Sequence, residues 1–240
     1  MTKVALITGA NKGIGFETTK QLAKQGIKVL LGARDNNKGL EAVNKLKAEG
    51  LDVEYVNLDV DNFETHKSVG NYIQEKYGKL DILINNAGIM EAPKSVIEQN
   101  IEIFKKVFDT NFFNVIALTQ TLLPLVRKSE AGRIVNLSSL LGSLTSHSDK
   151  NSFIYNFKSV PAYNASKSAL NAFTVHLAYE LKDTNIKVNS AHPGWVKTDM
   201  GGEQAPMELE DGAKTSVWLA TLPSDGPTGG FYHFQETVNW

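Results

Sequence analysis

Tyr163 and Lys167 stand four residues apart where a helical pattern opens, Tyr163-Asn164-Ala165-Ser166-Lys167, so both side chains fall on one helix face. A free phenol titrates near ~10, too high for efficient proton exchange at neutral pH. A neighbouring ammonium or other positive charge favours the phenolate and lowers that value. The pair therefore has the chemistry of a group tuned to exchange a proton near neutral pH. An isolated Tyr-x-x-x-Lys more commonly describes a buried tyrosine beside a surface lysine, so it needs company. Tyr155 and Lys158, three apart in a segment without helical period, show how readily these residue types recur. Company comes from Val135-Asn136-Leu137-Ser138-Ser139, a strand-like run that ends in two hydroxyls.

A second group of residues suits a dinucleotide. The first apolar run ends in Thr8-Gly9-Ala10-Asn11-Lys12-Gly13-Ile14-Gly15, and a helical pattern follows at once. Glycines let the backbone turn sharply and approach a pyrophosphate, and a helix N-terminus offers free N–H groups to it. The spacing Gly-x-x-x-Gly-x-Gly is neither Gly-x-Gly-x-x-Gly nor a P-loop, and on this feature alone a ligand-free glycine turn stays open. The second strand ends in Ala33-Arg34-Asp35, with Ala33 where an NAD-binding sheet usually carries a carboxylate. A carboxylate repels a 2′-phosphate, whereas the Arg34 guanidinium binds one through charge-assisted hydrogen bonds, with Lys12 as a second cation. NADPH/NADP+ is thus favoured over NAD, although Asp35, one place on, is still able to meet a ribose. Asp59, followed by Val60, suits the adenine amino group, and Asn85-Asn86-Ala87-Gly88 forms an amide-rich turn for the central ribose.

In order along the chain, these motifs resemble the short-chain dehydrogenase/reductase family. The likeness rests on Thr-Gly-x-x-x-Gly-Ile-Gly at 8–15, Asn-Asn-Ala-Gly at 85–88, Asn111, Ser139, Tyr163-x-x-x-Lys167 and Pro193-Gly194. The resemblance implies a catalytic tetrad of Asn111, Ser139, Tyr163 and Lys167; Ser139 is preferred to Ser138 because Gly142 follows it by three. It further implies that Ser139 and Tyr163 hold a substrate carbonyl, that Tyr163 is the general acid, and that Lys167 binds the nicotinamide ribose. Asn111 would hold a water leading to solvent. Cofactor contacts are implied for Gly9, Asn11, Lys12, Gly13, Ile14, Gly15, Arg34, Asp59, Val60, Asn86, Ala87, Gly88, Tyr163, Lys167, Pro193, Gly194, Val196 and Thr198. Within the family the likeness is strongest to monomeric NADPH-dependent carbonyl reductases. Ser139 and Tyr163 are 24 positions apart, more than most of the family and less than that branch, which leaves monomer or homo-oligomer open.

Such residues need a scaffold. Strand-like runs at 4–8, 28–31, 53–58, 82–85, 133–137 and 187–191 alternate with helical patterns at 14–24, 38–47, 65–77, 107–126 and 168–181. This alternation implies βαβ crossovers and a doubly wound, Rossmann-type α/β fold, with a parallel sheet covered on both faces. No linker divides the 240 residues, so one domain spanning 1–240 is expected. Two irregular stretches, at about 143–161 and 199–209, read as substrate-site insertions. With Met90, Leu140, Leu141 and Trp195 they form candidate substrate walls, mostly apolar or aromatic, although Trp195 and the leucines read equally well as core. A small hydrophobic carbonyl substrate follows.

Composition narrows the remaining choices. There is no cysteine, which excludes disulfides, cysteine–zinc sites, iron–sulfur clusters and thiol nucleophiles. The net charge of −1 gives no general attraction to nucleic acid or an anionic membrane. His66, His147, His176, His192 and His233 form no ligand-spaced pair, so no metal is expected. The first apolar run is too short for a signal core or a spanning helix, which implies a cytoplasmic protein. The leading expectation is NADPH-dependent reduction of aldehydes and ketones to alcohols. The alternatives are a 3-oxoacyl, steroid or sugar-alcohol dehydrogenase of the same family, or a non-catalytic NADP(H)-sensing regulator.

Overall fold

Val4–Ile7 is four consecutive buried aliphatic or alanine residues, a run able to serve both faces of a sheet at once. In the computed structural model, which describes residues 2–240, it is β1. The chain continues as α1 (Gly13–Lys24), β2 (Lys28–Ala33), α2 (Asn36–Ala48), β3 (Val53–Asn57), α3 (Phe63–Lys76) and β4 (Ile82–Asn85). Next come α4 (Ile101–Phe108), a π-helical turn (Asp109–Phe113), α5 (Asn114–Val126) and β5 (Arg133–Leu137). A 3-10 turn (Leu140–Gly142), α6 (Leu144–Ser148), α7 (Pro161–Glu180), β6 (Lys187–His192), α8 (Leu209–Ala220), β7 (Phe231–His233) and β8 (Glu236–Thr237) complete it.

The strands form a single sheet in the order β3-β2-β1-β4-β5-β6-β7-β8, parallel except for the terminal β7–β8 pair. Side chains of β1 alternate between two cores, as the two-residue period requires. Ala5 and Ile7 pack with α1, α2 and α8 on one face, while Val4 and Leu6 pack with α3, α5 and α7 on the other. This is the doubly wound, single-domain architecture expected. Strand order reverses between β1 and β4, so the connections leaving their carboxyl ends diverge and open a crevice there. No helix among the described residues is long and apolar enough to cross a membrane.

Three features depart from the pattern read in the sequence. The helical stretch at 107–126 begins earlier, at Ile101, and is broken by the π turn at Asn111. The stretch at 143–161 is not wholly irregular, because Ser143 caps α6 by accepting from Ser146 N at 3.0 Å. Strands β7 and β8, three and two residues long, escape any periodicity test and exist because β6 offers a free edge.

One surface cluster fastens the β3 edge. The Glu54 carboxylate accepts from Tyr72, from Tyr77 at 2.9 Å and from Lys76 at 2.8 Å, with Lys28 at 3.4 Å. Burial pushes its pKa up, but the hydrogen bonds from Lys76, Tyr72 and Tyr77 win and hold it at about 2. A depressed carboxyl pKa stabilises the fold fully above about pH 4.5, and that contribution is lost as pH falls through about 2. Glu54→Gln is expected to cost ~1–2 kcal/mol at pH 7, after discounting for partial exposure. The difference from the parent should shrink towards pH 2, measured by urea denaturation at both pH values.

Candidate active site

α7 starts at Pro161, whose fixed φ and missing N–H suit a first helical position. Its buried face carries Tyr163, Ser166, Lys167, Leu170, Asn171 and Thr174, the i, i+3, i+4 spacing of a helix laid against a sheet. Tyr163 is only 8% exposed, and Lys167 Nζ sits 5.5 Å from its ring centroid. Lys167 Nζ also donates to Leu137 O at 2.7 Å, which anchors it at the carboxyl end of β5.

The next residues of that strand end bring the hydroxyls. Ser139 caps the 3-10 turn by accepting from Leu141 N at 3.2 Å, and it lines the same cleft as Tyr163, near enough to favour ionisation of the phenol. Ser138 Oγ is buried with no hydrogen-bond partner, so Ser139, not its neighbour, meets the tyrosine. Gly142 lies flat on α7: a Cβ there would come within 2.8 Å of Lys167 C and Cβ. That contact is the physical reason for a glycine three residues after Ser139.

Asn111, in the π turn, reaches the same place from the opposite side. It donates to Ile89 O at 2.8 Å and to Ser166 Oγ at 3.1 Å, and it accepts from Ile89 N at 2.8 Å. A Cβ on Gly88 would be 3.3 Å from Asn111 Oδ1 and 3.5 Å from Lys167 Nζ. Asn111, Ser139, Tyr163 and Lys167 therefore gather beyond the carboxyl ends of β4 and β5.

The glycine loop forms the other side. Gly9 has φ 61°, a left-handed backbone, and a Cβ there would stand 3.0 Å from Ala87 Cα. Thr8 Oγ1 accepts from Asn86 N at 3.0 Å and Ala87 N at 2.9 Å, so the ends of β1 and β4 are stitched together. Asn86 Nδ2 donates to Thr8 O at 2.8 Å. α1 starts with no side-chain cap and no acidic residue in its first turn, so its N–H end is free to meet an anion. Gly13 lies near the Thr198 methyl, at 3.8 Å for an added Cβ.

The family is decided by the match along the chain: residues 3–209 fit the model described as short chain dehydrogenase. The chain belongs to that family. It is 34% identical over 274 residues to carbonyl reductase (NADPH) 1 of Mus musculus, covering 99% of this chain and 98% of the mouse protein. Salutaridine reductase of Papaver bracteatum is 34% identical over 297 residues, covering 98% of this chain and 95% of the relative. Among solved structures, the NADPH-bound carbonyl reductase from chicken fatty liver superposes with a TM-score of 0.87 at 25% identity, covering 100% of this chain and 94% of that one.

In this short-chain dehydrogenase, a cleft of about 480 Å³ opens beside the tetrad. The sequence-derived wall residues Met90, Leu140, Leu141 and Trp195 line it, as do Ile14, Asn86, Gly88, Ser139, Tyr163, Lys167, Pro193, Gly194, Val196 and Thr198. Trp195 is 45% exposed, which sets aside its core reading. Both irregular stretches contribute: Phe153, Ile154 and Phe157 from the first, Met200 and Gln204 from the second. The second is pinned by Trp195 Nε1 donating to Gly201 O at 2.8 Å and by a bridge between Val196 and Met207.

Residues assigned to the adenosine end stand at the ends of β2 and β3, outside that cleft. Asp35 caps α2, accepting from Lys38 N at 3.0 Å, so its carboxylate is engaged in helix capping. Arg34 is exposed and, among the described residues, forms no ion pair. Asp59 Oδ1 accepts from Asp61 N at 3.1 Å, and Val60 O is bonded to His66. Lys12 pairs with Asp199 at 2.5 Å, across the cleft mouth.

Electrostatics differ from the first expectation. Burial pushes Tyr163 up to about 12, against the hydrogen bond from Ser139 and with help from the Glu91 carboxylate. Burial likewise pushes Lys167 down to about 8. Desolvation therefore dominates the state of the phenol. Sequence reasoning also missed His192, whose ring is pushed down to about 3 by burial and by His233. Its Nδ1 accepts from Leu140 N at 3.2 Å and Gly194 N at 3.3 Å, coupling the two loops that flank the cleft. Its position directly before Pro193-Gly194 was the available signal.

Proposed function

We propose that this chain reduces apolar aldehydes and ketones to alcohols, with NADPH as reductant. The observation that carries the reading is the convergence of Ser139, Tyr163 and Lys167 at one end of a cleft whose other walls are mostly apolar. The cofactor, when bound, supplies the hydride. The residues present fit it: an uncapped helix N-terminus and left-handed Gly9 at the strand crossover suit a pyrophosphate. The unpaired Arg34, with Asp35 turned into its own helix, favours a 2′-phosphate over a bare ribose. Lys12 joins it, because an exposed, solvent-screened ion pair such as Lys12–Asp199 yields readily to a phosphate dianion. The mouse and chicken relatives whose names specify NADPH support the same choice.

The carbonyl oxygen would accept hydrogen bonds from Ser139 and Tyr163. Tyr163 gives its proton to that oxygen as the carbon gains hydride, so the product is the neutral alcohol. A phenol held protonated by burial is in the right state for this at neutral pH. Lys167 would hold the nicotinamide ribose and stabilise the phenolate that remains, and Asn111 would hold the water through which the proton is replaced. Pro193, Gly194, Val196 and Thr198 would hold the nicotinamide end of the cofactor. The stretches at 143–161 and 199–209 serve as substrate-side insertions in one domain, and a cytoplasmic location belongs to the same proposal.

The test is a panel of quinones, aromatic aldehydes, keto esters and steroids, each assayed with NADPH and NADH. Turnover of bulky apolar carbonyls, faster with NADPH at limiting cofactor, is the expected result. A chain that binds NADPH yet reduces none of them would overturn the reading in favour of a cofactor-sensing role.

A further inference from the structure

Glu91 belongs to no motif, yet its carboxylate, only 9% exposed, is bonded to the backbone of the proposed proton donor. Glu91 Oε1 accepts from Ala162 N at 2.7 Å, and Oε2 accepts from Tyr163 N at 3.1 Å. The first turn of α7 has no local partner for these donors. Val160, in the capping position, has no polar side chain, Pro161 has no N–H, and Asn164 N bonds back to Val160 O at 3.0 Å. Ala162 and Tyr163 are the donors left over, and one carboxylate from 71 residues away takes both. The positive end of the 20-residue α7 and these two N–H groups are partners that suit a carboxylate at this position.

The segment carrying Glu91 is itself clamped. Ile89, two residues earlier, is held by Asn111 through both its N–H and its C=O, and Met90 between them lines the cleft. A rigid path thus runs from Asn111 through Ile89 and Glu91 to the backbone of Tyr163.

We propose that Glu91 is a positioning residue for the reduction: its carboxylate ties the Tyr163 backbone to the cleft wall and brings an acidic group, rather than a neutral one, to the residue that carries the phenol. This rests on the reductase reading, in which Tyr163 gives a proton. The other groups around the phenol leave that role to Glu91. The titratable side chains lining the cleft are Tyr163, Lys167 and His192; Lys167 acts in the opposite sense, and His192 is kept neutral by burial. On α4, which packs on α7, Glu102, Lys105 and Lys106 are exposed, and Glu102 and Lys105 pair with each other. In the 143–161 stretch, His147 and Lys158 bond to one another.

Glu91→Gln removes the charge, keeps the size and leaves one acceptor for the helix end. Its basic limb for kcat in the reduction direction is expected to fall by at least about half a pH unit, because less negative charge beside the phenol eases ionisation. A substrate-free readout accompanies it: the tyrosinate absorbance titration of each protein, differenced against its own Tyr163→Phe counterpart, should shift in the same direction. Glu91→Ala, which also loses the cap, should lower the plateau kcat about tenfold with cofactor Kd unchanged. Superimposable titrations of the parent and Glu91→Gln would overturn the proposal, even if the melting temperature fell, since a purely structural role moves only the latter. The absorbance titration needs no turnover, so the two readings fail separately. A chain inactive on carbonyls would sink the reductase reading, while the titration would still show whether Glu91 governs ionisation of the phenol.

Discussion

Tyr163→Phe is expected to lower kcat for carbonyl reduction by about 10²–10⁴-fold while the Kd for NADPH changes less than about twofold. The substitution removes one oxygen and leaves the ring where α7 packs it, 8% exposed and against Lys167. Loss of the hydroxyl deletes both the proton and one of two hydrogen bonds to the carbonyl oxygen, interactions that strengthen as negative charge develops on it. In the proposed reading, cofactor affinity rests on the glycine loop, Arg34 and Lys167, none of which the change removes. Steady-state kinetics, with NADPH fluorescence titration on the same preparation, measure both quantities. Retention of more than about a tenth of the parent kcat would show that another group, or water, supplies the proton.

Arg34→Ala is expected to weaken NADPH about 10–100-fold and to leave NADH within about twofold. The guanidinium is exposed and unpaired among the described residues, so little of the fold depends on it. A charge-assisted hydrogen-bonded contact is worth ~1.5–3 kcal/mol, and each ~1.4 kcal/mol is a factor of ten in affinity. Asp35 is held in the helix cap by Lys38 N in the parent, and the substitution leaves that bond in place, so NADH affinity is expected to change little. Kd values for both cofactors, with the urea midpoint as a folding control, decide it. Equal weakening of the two would remove Arg34 from the 2′-phosphate and place its role at the adenosine as a whole.

Much of this molecule is legible locally. Six parallel strands are visible because each is a short β-branched or aliphatic run, and buried parallel strands need little else. Tyr163 and Lys167 can be paired from spacing alone, since the helix repeat is independent of the rest of the fold. Ser139 could be preferred to Ser138 through Gly142, whose reason then proved to be contact with the Lys167 backbone. β7 and β8 were not legible, because a three-residue strand carries no period and forms only on an existing edge.

By itself, then, the sequence determined the fold class and the types and spacings of the groups gathered at the site. These are properties of local repeats and of short motifs, which act over a turn or a strand end. Only the tertiary structure decided which groups surround the Tyr163 phenol and in what electrical state. Burial, not Lys167, dominates Tyr163; Glu91 arrives from beyond β4 to hold its backbone; Phe153 and Phe157 become cleft walls. Desolvation and long-range capping depend on which segments are packed together in space, and no local pattern of residues encodes that.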